Sequence, residues 1–225
     1  YTWSTLFPYT TLSDLITKYI RSLIKEDNDI LKELQEFAIN EKVPIVQEEV
    51  ANFLKFMIIS NRPKKILELG TAIGYSSILM NIASGGQCEI TTIERDENMI
   101  NIAKDNIKKY GFDKKINILQ GDCLEILPTI NEEFDMIFMD AGKGHYNHFL
   151  PHCMRMLKKD GMIIADNVLF RGMVATNELV KRRKITIVKR MRSYLEMVSN
   201  DKDLITSVIP MGDGIAITTR RNINE

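Results

Sequence analysis

Asp140 and the pair Asp166-Asn167 each end a short apolar run, in FMDAGKGHY and in IIADNV. Two carboxylates and an amide make an all-oxygen donor set, the hard kind that suits Mg²⁺ and leaves positions open for water or a substrate oxygen. Lys143 follows Asp140 closely. It is a candidate to accept a proton from a hydroxyl oriented by such an ion. Aspartates also cap helices and turns, and singly each would be read that way. Both on one sheet edge, with a lysine beside them, point to a site.

A second constellation precedes it. The stretch ELGTAIGYSS, Glu68 to Ser77, sits where a strand turns into a helix. In doubly wound sheets ligands bind beyond the carboxyl ends of the strands. Gly70 and Gly74 let backbone approach a ligand closely, and Ser76 offers a hydroxyl at the helix start. Ala72 takes the middle position of a GxGxxG pattern, which weakens a dinucleotide reading. Glu94 ends the second strand, where a carboxylate accepts hydrogen bonds from ribose hydroxyls. Asp122 follows the third strand, in place to meet an adenine amino group. A glycine turn alone is ordinarily packing; acids at two further strand ends make it a cofactor loop.

The elements that must position these residues alternate. Helical spacing begins at Asp14 and continues through Asp29–Asn40 and Gln47–Ser60. Strands follow at Lys65–Leu69, Glu89–Ile93, Ile116–Leu119, Asp135–Met139 and Gly161–Ala165, with helices between, including Tyr75–Ala83 and Glu97–Tyr110. Such alternation requires right-handed crossovers and a mainly parallel sheet covered on both faces. After a helix near Ile185–Val198, strands Leu204–Ile209 and Ile215–Thr219 flank the turn Met211-Gly212-Asp213-Gly214 and should pair antiparallel.

The 225 residues fit one domain, expected over 13–225, and 44% hydrophobic residues suffice for a large core. Tyr1 to Leu12 lacks periodicity and is expected to be a non-native or disordered leader. Thirty basic residues balance thirty acidic ones, so any polyanion affinity must be local. Cys88, Cys123 and Cys153 form no CxxC pair, which fits a reducing cytoplasm. No apolar run is long enough to span a bilayer.

ELGTAIGYSS, TIERD, GDCLE, FMDAGKGHY, ADNVLFRGMVA and IPMGDGIAI resemble the divalent-metal-dependent, catechol O-methyltransferase-like enzymes of the class I methyltransferase fold. Within that family the resemblance is to the bacterial enzymes that methylate 5-hydroxyuridine at the tRNA wobble position. It runs from about Asp14 to Arg221 and includes Val43-Pro44-Ile45. It implies a Rossmann-like α/β fold with a seven-stranded sheet, an antiparallel C-terminal hairpin and N-terminal helices. It implies Mg²⁺ on Asp140, Asp166 and Asn167. It implies S-adenosylmethionine against Ile45, Gly70, Ser76, Glu94, Asp122, Cys123 and Asp140. Cys123 stands where the family commonly carries Ala, so only its backbone is expected to serve. A homodimer through the N-terminal helices is likewise implied.

The acceptor is expected to offer two adjacent oxygens, as the 4-carbonyl and 5-hydroxyl of 5-hydroxyuridine do, and as a catechol does. Between Arg171 and Arg192 eight basic residues face only Glu178. That excess could meet the phosphates of a tRNA anticodon loop, whose bases splay out into pockets. It could equally be a solvated helix face or a dimer contact. A small catechol or phenol is the alternative acceptor. An NAD-dependent oxidoreductase is disfavoured by Ala72, and a non-catalytic RNA-binding module by the complete metal and cofactor constellation. His145, His148 and His152 recur at helical spacing, but Pro151 should interrupt that face and no carboxylate completes a zinc set.

Overall fold

A computed structural model of the protein describes residues 9–221. Helices α1 (Tyr9–Leu23), α2 (Asp29–Asn40) and α3 (Glu48–Asn61) precede the sheet. Strands and helices then alternate: β1 (Lys65–Leu69), α4 (Tyr75–Ala83), β2 (Glu89–Glu94), α5 (Glu97–Lys109), β3 (Ile116–Gln120) and the short α6 (Cys123–Ile126). β4 (Phe134–Met139), α7 (Tyr146–Met156), β5 (Leu157–Ala165), α8 (Ile185–Asn200), β6 (Leu204–Ile209) and β7 (Ile215–Arg220) complete the order. Most of the expected leader, residues 1–8, lies outside the described residues. Its last four positions, Tyr9 to Leu12, have helical backbone as the first turn of α1, so α1 starts before the periodicity that marks it.

The seven strands lie in the order β3-β2-β1-β4-β5-β7-β6. The first five strands run parallel, and β7 pairs antiparallel with β6, as expected, and also with β5. Period-two alternation sends successive residues to opposite faces. Ile66, Met136, Phe138 and Ile164 pack under α2 to α4. Leu67, Leu69, Ile137, Met139, Ile163 and Ala165 pack under α7 and α8. The chain direction of winding reverses between β1 and β4, the crevice where open α/β sheets bind ligands.

Two details depart from the sequence reading. β5 begins at Leu157 rather than Gly161, with a register shift against β4 between Phe134 and Met136. Lys158-Lys159-Asp160 hides that start because its polar residues lack strand periodicity. Pro151 lies inside α7 and does not end it. Side-chain caps fix α2 and α5: Asn28 accepts from the Leu31 amide at 3.2 Å and Asp96 from the Met99 amide at 3.0 Å.

Candidate active site

Met139 and Ala165 are paired across β4 and β5, so Asp140 and Asp166 are equivalent next residues on neighbouring parallel strands. The amide of Asp140 donates to the Leu69 carbonyl at 3.0 Å, and that of Asp166 to the Met139 carbonyl at 2.9 Å. Three strand ends are thereby laced in sequence. Neither aspartate caps a helix: α7 starts from His145, and no helix begins at Asp166. The helix-cap alternative falls for both, while Asp166 accepts the Asn167 amide at the bend that follows β5.

Burial pushes both carboxyls above the usual carboxylate range, and for Asp166 the charge on Asp140 adds to the rise. Lys143 pulls the other way on each of them and also on Asp213, whose carboxyl burial likewise raises. One ammonium is therefore near enough to act on three carboxyls. Asn167 is held at φ 60°, a left-handed conformation that Asn tolerates better than most residues. Among the described residues no three His, Cys, Asp or Glu side chains form a ready metal cage. The residues expected to hold an ion are instead two carboxylates and an amide. Crowded anions short of positive charge are the chemistry a hard divalent ion matches.

The loop expected to meet the cofactor follows β1. Gly70 has φ 105°, and a Cβ there would lie 2.9 Å from the Cβ of Ala141. Glycine is needed because this loop touches the one that carries Asp140 and Lys143. Ser76, 8% exposed, sits in the first turn of α4. Glu94 accepts from the Ala72 amide at 3.0 Å, tying β2 to the loop, and from the amides of Arg95 and Asp96 at 2.9 and 3.0 Å. Asp122 caps α6 through the Leu124 amide at 2.9 Å and pairs with Arg95 at 3.0 Å. Those backbone and arginine bonds hold its carboxyl below the usual range. So Asp122 does act as a cap, at the same strand edge. Ile45 lies half-buried against the core between α2 and α3.

Cys123 is buried, and burial pushes its thiol up to about 12, so it stays protonated and does no thiolate chemistry. All three cysteines are free and buried. His145 is half-buried; burial, Arg190 and His148 hold its imidazole below its ordinary range, leaving it neutral at neutral pH.

Four residues take parts that the sequence reading did not give them. Glu68 is fully buried in β1, takes a hydrogen bond from Ser77, and keeps Oε1 without a partner. Tyr146 reaches two strand-end carbonyls from α7. Arg190 of α8 donates to the Gly144 carbonyl. Asp213, in the turn between β6 and β7, accepts from the Arg171 amide through its carboxylate, while its carbonyl takes the Leu169 amide at 2.9 Å. The acidic turn IPMGDG contained the signal for Asp213, but a hairpin explained it fully. Tyr146 reads simply as core.

The family model for O-methyltransferases matches residues 21–221. A catechol O-methyltransferase from Niastella koreensis is 32% identical over 165 residues, spanning 71% of this chain and 75% of that protein. A solved candidate caffeoyl-CoA O-methyltransferase from Staphylococcus aureus has a TM-score of 0.85 at 36% identity, covering 92% of this chain and 100% of that one. The SAH-bound methyltransferase PaMTH1 of Podospora anserina shares the fold, with a TM-score of 0.86 at 23% identity over 96% of this chain and 97% of its own.

Proposed function

The chain belongs to the O-methyltransferase family, and from that premise we propose that it moves the methyl group of S-adenosylmethionine to a hydroxyl held at a Mg²⁺ site, the acceptor being 5-hydroxyuridine at the tRNA wobble position. The observation that carries the reading is that paired strand ends set Asp140 and Asp166 side by side next to the Gly70 loop, with Lys143 in the loop that follows Asp140.

Asp140, Asp166 and Asn167 would hold the ion. Bound there, it would favour loss of the hydroxyl proton and orient the oxygen. Lys143 would take that proton. S-adenosylmethionine supplies a methyl on a positively charged sulfur; the oxygen–carbon bond forms as the carbon–sulfur bond breaks, and the sulfur leaves neutral. Glu94 would face the ribose and Asp122 the adenine. Glu94 already takes three amides, so its remaining lone-pair capacity would serve the ligand.

Support for a tRNA acceptor comes from the turn Lys181 to Lys184. Lys181, Arg182 and Arg183 are exposed, and Lys184 lies 5.9 Å from the ring centroid of Phe170, close in sequence to Asn167. Cations at that rim suit phosphates flanking a splayed base. A second reading, a small catechol, draws on the similarity to catechol and caffeoyl-CoA enzymes. Nucleoside analysis of tRNA from a deletion strain tests the choice: 5-hydroxyuridine should replace 5-methoxyuridine, and an unchanged profile would favour the catechol. A homodimer is proposed too, supported by exposed Leu15, Ile16, Tyr19, Ile20 and Leu23 on α1; light scattering of the purified chain tests it.

A further inference from the structure

The basic run from Arg171 to Arg192 is uniform in sequence but divided in three dimensions. Lys181, Arg182 and Arg183 face solvent, whereas Arg190 and Arg192 are half-buried and spend their donors inward. Nη1 of Arg190 lies 3.1 Å from the Gly144 carbonyl. Arg192 donates to the carbonyls of Val174 and Met173 at 2.9 and 3.2 Å and to Oδ1 of Asn177 at 2.8 Å. Residues two apart on a helix project in nearly opposite directions. From one turn, α8 therefore reaches the loop after Asp140 and the loop after Asn167.

The first of these loops needs such support. Gly142 and Gly144 flank Lys143, and glycine gives the chain the widest conformational freedom. Within the loop the His145 amide bonds the Gly142 carbonyl at 2.6 Å. That closes a turn without fixing it against α8. The helix is itself well anchored: Val188, Met191 and Tyr194 are buried, and the Tyr194 ring meets Tyr146 edge-on at 5.5 Å between centroids. Arg190 precedes Tyr194 by one helical turn on the same face. Ile187 closes on Gly144 from the same side, where a Cβ would stand 3.5 Å from its Cγ1.

We infer that Arg190 is a positioning residue for methyl transfer, its guanidinium holding the Gly144 carbonyl and through it the loop that carries Lys143. This role rests on the proposed work of Lys143 at the acceptor hydroxyl. A charged donor on a carbonyl is among the stronger hydrogen bonds, and small misplacements of a reacting group cost rate steeply.

The test compares Arg190→Met with Arg190→Lys in the full chain. Hydrogen exchange should quicken over Gly142–His145 in Arg190→Met without any substrate present. With labelled S-adenosylmethionine, and with tRNA from a deletion strain or catechol as acceptor, kcat should fall about 10- to 100-fold. KM for the methyl donor should hold, and Arg190→Lys should recover most of the loss because it retains a donor. Unchanged exchange in the loop would overturn the role. So would a defect confined to KM for tRNA and dependent on salt, which would mark a phosphate contact instead. The two failures separate. Full activity of Lys143→Met overturns the reading of Lys143, whereas unchanged kcat in Arg190→Met overturns the positioning role even where Lys143→Met is inactive.

Discussion

Tyr146 donates its hydroxyl to the carbonyl oxygen of Met139 at 2.9 Å, with the carbonyl of Asp166 3.1 Å from the same phenolic oxygen. One proton thus serves two carbonyls, at the ends of β4 and β5, directly beside both carboxylates. Burial keeps the phenol protonated, its pKa far above the ordinary value. Tyr146→Phe should cost about 1–3 kcal/mol, the usual consequence of removing a buried partner. The urea midpoint should drop at unchanged slope, and kcat should fall with it. A midpoint equal to wild type would show that the strand ends hold without this clamp.

Asp140→Asn tests the ion site. The amide keeps the size but loses the charge that a divalent cation needs. Because an ion contributes several kcal/mol to such a reaction, methyl transfer should fall by more than about 100-fold. Exhaustive chelation should do the same to the wild type, and added Mg²⁺ should restore it. Full turnover in a chelator would remove the ion from the chemistry.

Glu68 gives a pH dependence with a definite sign. Burial raises its carboxyl, and the hydrogen bond from Ser77 with the nearby hydroxyls of Ser76 and Thr92 only partly opposes the rise. Its folded pKa exceeds the unfolded value of about 4.3. Its contribution is therefore whole below that value and is lost as pH rises through the folded pKa. Glu68→Gln stays neutral throughout. The melting temperature of the variant relative to wild type should climb between acid and mildly alkaline pH. A constant gap would mean that Glu68 does not change charge on unfolding.

The basic turn separates acceptors. Changing Lys181, Arg182 and Arg183 together to Gln should raise KM for tRNA and leave catechol turnover unchanged. The slope of log affinity against log salt should shrink by about 2, the value for three lost contacts to a single-stranded loop. Equal losses on both acceptors would assign the turn a structural task.

Much of this arrangement was legible in the residues. Strand ends at Leu69, Met139 and Ala165 follow from short apolar runs stopped by Gly or Asp. Less legible was anything that depends on what a side chain meets across the fold. Arg190 looks like Arg182 until its carbonyl partner is known. Asp213 looks like an ordinary turn residue until Arg171 and Leu169 are seen bonded to its turn. Asp122 proved to be both cap and strand-end acid, two meanings that spacing cannot tell apart.

The strand order also divides the labour of the molecule. Glu94 ends β2 and Asp122 follows β3 on one side of β1, while Asp140 and Asp166 follow β4 and β5 and Asp213 lies in the β6–β7 turn on the other. On the proposed reading the methyl donor lies chiefly against the first half and the acceptor against the second, with Asp140 at the crevice serving both. Grafting the loops of the second half from a relative should therefore exchange the molecule that is methylated, while the source of the methyl group stays the same.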